Sequence, residues 1–168
     1  MIPALTDSGL LPPGRHIASM AEIEEIFVEA APHSTHRRRI FRAFQLYADM
    51  IGDILEHSAF WVDGGFCTYK EAPPDDLDLA VLIDPSLPLT DKDHEKLIPL
   101  FTLQGVEAEL PQLRASRVQP MGGLIDSFVV IAGVVAQEEY WDGTWSKVKG
   151  PDGEPIPGAI KGYLEVSW

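Results

Sequence analysis

A single cysteine, Cys67, leaves the chain without an internal disulfide and without the thiolate set of a zinc site. No stretch approaches the roughly 20 apolar residues that a membrane helix needs. The opening MIPALTDSGLLPPGR has neither the basic start nor the long apolar stretch of a secretory signal, so the expected compartment is the cytoplasm, with no membrane partner. Basic residues are scarce: 13 Lys and Arg stand against 26 Asp and Glu, a net charge of −13. Extensive nucleic-acid binding depends on neutralising phosphates, and this balance disfavours it. The five histidines, His16, His33, His36, His57 and His94, are scattered without paired ligand spacing. No G-x-x-x-x-G-K-[ST] or G-x-G-x-x-G motif occurs, which argues against P-loop and Rossmann nucleotide binding. There is no internal repeat and no low-complexity stretch.

What is present suits one domain: 168 residues, 45% of them hydrophobic, can build a core without covalent staples. Residues 1–18 carry Pro3, Gly9, Pro12, Pro13 and Gly14, which forbid a long helix or a central strand, so an extended arm precedes a domain over 19–168. Ser19 and Glu22 have capping-box spacing, and Ile23, Ile26 and Phe27 follow at helical intervals, predicting a helix over 20–30. Beyond Pro32, the stripe Ile40, Phe41, Phe44, Tyr47, Ala48, Ile51, Ile54 and Leu55 predicts a long amphipathic helix over 35–56. The basic cluster Arg37, Arg38, Arg39 and Arg42 reads as the solvated face of that helix, with a local phosphate contact as the alternative. A further helix is expected over 90–103, and residues 104–120 read as strand or loop. A strand is expected over 124–131, a Gly/Pro-rich turn over 150–155, and an edge strand over 160–166. Tyr140, Trp141 and Trp145 read as packing residues, with ligand stacking as the alternative.

Chemistry concentrates in residues 60–84. Ala59-Phe60-Trp61-Val62 is a short buried strand stopped by Gly64-Gly65, and Asp76-Leu77-Asp78-Leu79-Ala80-Val81-Leu82-Ile83 is a second strand with acids at its mouth. Alternation puts Asp76 and Asp78 on one face. Two carboxylates facing a glycine turn suit a hard divalent cation and a phosphate. The loop between holds Thr68 and Lys70, with Lys70 as readily a solvated lysine and Asp63 a turn-capping acid. Asp126 is the single acid in the 124–131 strand, and Cys67 a small, partly buried residue beside the turn.

The pattern of Gly64-Gly65, then Asp76-Leu77-Asp78, then a later strand carrying Asp126 resembles the nucleotidyltransferase superfamily of the DNA polymerase β type. Within it, the chain looks most like a group of small bacterial proteins with an LPPG-x-H arm, here Leu11 to His16, and a W-h-D-G-[GS]-F-x-T-x-K segment, here Trp61 to Lys70. The resemblance implies an α/β (α+β) fold with a mixed sheet and helices packed on it. It implies Asp76, Asp78 and Asp126 as catalytic residues and ligands of Mg2+ or Mn2+, and Gly64, Gly65, Thr68 and Lys70 as nucleotide-binding residues. The second turn position is often serine in that superfamily, and here it is Gly65.

The expected activity is transfer of a nucleoside monophosphate from an NTP to a hydroxyl of a small-molecule or protein acceptor. The alternative is a catalytically weak or inactive protein of the same fold that binds a nucleotide or a protein, in a toxin–antitoxin or phage-defence setting. Homodimerisation stays open.

Overall fold

A computed structural model describes residues 1–108, 112–150 and 152–168. Its centre is a five-stranded mixed sheet in the order β1-β9-β2-β3-β6, built from β1 (Gly14–Ile17), β2 (Ala59–Asp63), β3 (Leu77–Ile83), β6 (Ile125–Ile131) and β9 (Gly162–Ser167). β2 runs antiparallel to both neighbours, β3 and β9, while β3–β6 and β1–β9 are parallel pairs. The architecture is α+β.

Period-two alternation gives the sheet two unlike faces. Phe60, Val62, Leu79, Val81, Ile125, Leu164 and Val166 join the main core. Over them lie α1 (Met20–Glu24), prolonged by a π turn (Glu25–Glu29), and α2 (Ser34–Gly52), whose stripe Ile40, Phe41, Phe44, Tyr47, Ala48 and Ile51 is buried as its spacing predicts. The Ser19–Glu22 capping box forms. Trp61, Ala80, Val130 and Tyr163 point to the other face and meet Trp145 of α4 (Val135–Trp145).

Four expectations need correction. The 35–56 helix ends at Gly52, a poor helix former, and the 90–103 helix stops at Leu97 because Pro99 offers no backbone N–H; a 3-10 turn over Ile98–Leu100 finishes it. The 160–166 strand is two strands meeting at Lys161: β8 (Pro155–Ile160) pairs with β7 (Lys147–Lys149), and β9 enters the sheet between β1 and β2 rather than at its edge. The edge position belongs to β1 of the arm, where Gly162 admits the crossing chain: a Cβ there would press on the carbonyls of Pro12 and Gly14. Arg37 is not solvated. It is fully buried, its Nη1 donating to the carbonyls of Phe27 (3.2 Å) and Phe66 (2.6 Å), Nη2 to Thr68 (2.6 Å) and Nε to Pro32 (2.8 Å).

The ambiguous 104–120 region is a hairpin of β4 (Leu103–Ala108) and β5 (Leu113–Val118). Residues 109–111 of that region, and Pro151 of the later turn, lie outside the described residues. Among the described residues, no helix is long and apolar enough to cross a membrane.

Candidate functional site

At one end of the sheet, three strands bring an aspartate to the same rung. Asp63 ends β2 and pairs in register with Asp78 of β3, which pairs with Asp126 of β6. Residues opposite one another on neighbouring strands share a face, and strands lie about 4.8 Å apart, so the three form one row of carboxylates. That face is the α4 face, carrying Trp61, Ala80, Phe128 and Val130 further along the same strands.

The row is unevenly neutralised. Asp63 is buried in an ion pair with Lys161, itself buried. Burial pushes the Asp63 carboxyl up, and the Lys161 ammonium pulls it back. Asp126 accepts from Thr102 Oγ1 (2.7 Å) and is ion-paired to Arg117 of β5. Asp78, between them, has no side-chain hydrogen bond or ion pair among the described residues. Its burial first, and then the charges of Asp76 and Asp63, push its pKa up to about 6. Asp76 stands just before β3 and accepts from Gln119 Nε2 (2.7 Å).

The glycine turn is built around Asp78. Gly64 has φ 81° and ψ −165°, a conformation nearly reserved for glycine, and a Cβ there would overlap the Asp78 carboxylate. Gly65 is under no such constraint: its φ is not positive, and a Cβ would meet only Pro74 at 3.6 Å. A one-turn 3-10 helix, Gly65–Cys67, follows, and Arg37 holds it to α2 through the Phe66 and Thr68 carbonyls. His33 and His36 at the start of α2 fasten the next loop, meeting the carbonyls of Glu71 and Pro74, each at 2.7 Å.

A cavity of about 430 Å³ opens in front of this turn. Of the seven residues singled out from sequence, Gly64, Gly65, Thr68, Lys70, Asp78 and Asp126 line it, and Asp76 does not. Thr68 is buried with its hydroxyl donating to the Gly65 carbonyl (2.9 Å), and Lys70 is exposed at the rim. The cavity also holds Asp63, Arg117, Lys147, Lys149 and Lys161, and an aromatic wall of Phe128, Tyr140, Trp141 and Trp145, none of them assigned to the site by sequence reading. Asp63 carried a usable signal, since alternation from Trp61 and an antiparallel return would put it opposite Asp78. Lys161 carried none, because its pairing spans 98 positions.

As a donor set, Asp76, Asp78 and Asp126 offer the hard oxygens that magnesium prefers. Among the described residues, no group of three or more His, Cys, Asp or Glu side chains is arranged to hold a metal ion. The oxygen chemistry suits the cation, but in this arrangement Arg117 occupies Asp126, and Asp76 stands outside the cavity on Gln119. Cys67 is buried, its thiol pushed up by burial and by Asp63, and takes no part.

No curated protein and no solved structure matches the chain. A family model does match it, over residues 3–167, and on that match the chain belongs to DUF6932, a family of unknown function.

Proposed function

We propose that this chain is a metal-dependent nucleotidyltransferase of the DNA polymerase β type fold, moving a nucleoside monophosphate from an NTP to a hydroxyl of a small-molecule or protein acceptor. One observation carries the reading. Asp78 and Asp126 occupy paired positions on adjacent parallel strands, and the Gly64 turn is shaped around Asp78 at the floor of a nucleotide-sized cavity. Asp76, Asp78 and Asp126 would hold magnesium or manganese, which when bound neutralises phosphate charge and stabilises the leaving pyrophosphate. The chain's own groups do the rest. Lys149 and Lys161 lie close enough to pull down the Asp63 and Asp78 carboxyls, and so present cations to phosphate oxygens in the same space. Asp126 would serve either as base toward the acceptor hydroxyl or as ligand to a second metal ion.

A second reading, metal-independent binding of a nucleotide, rests on the neutralisation already present at Asp63 and Asp126. Calorimetric titration of each NTP with and without magnesium separates the two, alongside pyrophosphate release in the presence of candidate acceptors. Transfer chemistry requires magnesium-dependent nucleotide affinity and release that falls by about 100-fold or more in Asp78→Asn. Magnesium should also stabilise the wild type by about 1–3 kcal/mol at saturation and leave Asp78→Asn unmoved. Nucleotide affinity indifferent to both magnesium and Asp78→Asn would sink the enzyme reading and leave the binding module.

A further inference from the structure

The cavity has two chemically different walls. Charge comes from Lys70 of the loop, Arg117 of β5, Lys147 and Lys149 of β7, and Lys161, which line the cavity with three carboxylates, an excess of two positive charges inside a chain of net −13. Such a local reversal concentrates anions. The part of the lining that α4 supplies, with Phe128 of β6, is aromatic. Trp141 packs on Phe128 with ring centroids 4.6 Å apart and on Trp145 at 5.1 Å, and Tyr140 stands edge-on to Trp141 at 5.4 Å, 85° between planes.

Packing accounts for Trp145, which is buried and continues through Tyr163 to Trp61. It does not account for Tyr140, which lines the same cavity and remains 63% exposed. A large ring left open at the mouth of a positively charged cavity suits a flat, uncharged ring system attached to an anion. Cationic ligands also seek aromatic walls, but the excess of lysine and arginine here repels them.

We infer that Tyr140 and Trp141 form the shelf on which the nucleobase of the NTP stacks, with its phosphates directed to Lys149, Lys161 and the Gly64 turn. This rests on the proposed function and adds to it the place of the nucleobase, so that the base as well as the phosphates contributes to affinity.

The test compares ATP with inorganic tripolyphosphate on the intact protein, by calorimetry and by quenching of tryptophan fluorescence. ATP should bind at least tenfold more tightly and quench, because one stacked base contributes a factor of that order. Tyr140→Ala alters an exposed side chain and leaves the core intact. It should weaken ATP about 5- to 50-fold and leave tripolyphosphate unchanged, whereas Lys149→Ala should weaken both. Trp141→Leu serves as a second probe, its folding checked by circular dichroism. Equal affinity for ATP and tripolyphosphate, or ATP affinity unmoved by both aromatic substitutions, overturns the shelf while leaving Asp78-dependent transfer standing. If neither tripolyphosphate nor any of the four NTPs binds, the shelf and the reading beneath it fall together.

Discussion

The two faces of the central sheet are made from the same strands and solve different problems. Toward α2, the sheet is mostly apolar and closed, and Phe44, Phe60 and Tyr47 meet in edge-to-face contacts. The polar groups there are paired, as when Tyr47 and Ser127 share a 2.6 Å hydrogen bond. Toward α4, the strand ends carry three acids in a row, and the covering helix leaves a cavity over them. One face is stabilised by exclusion of water. The other places like charges side by side and depends on cations from elsewhere in the chain. Stability and chemistry are thus divided across a single layer of backbone, so changes on the two faces should have different signatures.

The largest effect should come from the charged face. Lys161→Met would leave Asp63 buried without its cation, a loss of about 3–5 kcal/mol in urea unfolding. Adding Asp63→Asn should recover most of it. If the two single losses simply add, the pair is not coupled and the charged face is not built as described.

On the closed face, Arg37→Met should cost about 2–4 kcal/mol, because four carbonyl contacts are lost in a buried place. The exposed Arg42→Ala should stay within about 0.5 kcal/mol. Equal effects would mean that the arginine cluster is a surface feature after all.

The smallest effect is a slope. The Asp78 carboxyl titrates near 6 in the folded protein and near 3.9 in an unfolded chain, so between these values the folded state holds more protons. Its contribution to stability is therefore present below pH 4 and is lost as pH rises through 6. Without divalent cation, the melting temperature of the wild type should fall across this window relative to that of Asp78→Asn. Parallel profiles would show that Asp78 is not strained by its neighbours.

Local signals carried much of this arrangement in the sequence. The Gly64-Gly65 stop and the stripe of α2 depend on neighbours within a few residues, and the structure follows them, whereas Asp76 stands before β3 and outside the cavity that Asp78 lines. Arg37 was legible in principle, since it precedes Ile40, Phe41 and Phe44 by three, four and seven positions and thus sits on the buried stripe. Its charge masked that. Helix α4 was hidden by Gly143 and by aromatics that serve the cavity rather than a regular apolar face. β9 looked like an edge strand because Glu165 interrupts its apolar run. That carboxylate is instead taken by Trp61 Nε1 (2.9 Å) and Arg15 (3.2 Å), partners 104 and 150 positions away, which no local pattern announces.

The insertion of β9 between β1 and β2 also sets an order of assembly. During synthesis, residues 14–17 and 59–63 emerge long before residues 162–167, so β1 has no strand to pair with and one side of β2 stands open until nearly the whole chain is available. Pairings of such sequence separation close slowly and leave strand edges exposed in the meantime. The carboxylate rung of β2, β3 and β6 needs only residues 59–131. Lys161, which neutralises Asp63, arrives with the closing strand. The acid row is thus assembled first and acquires its buried cation as the sheet is sealed.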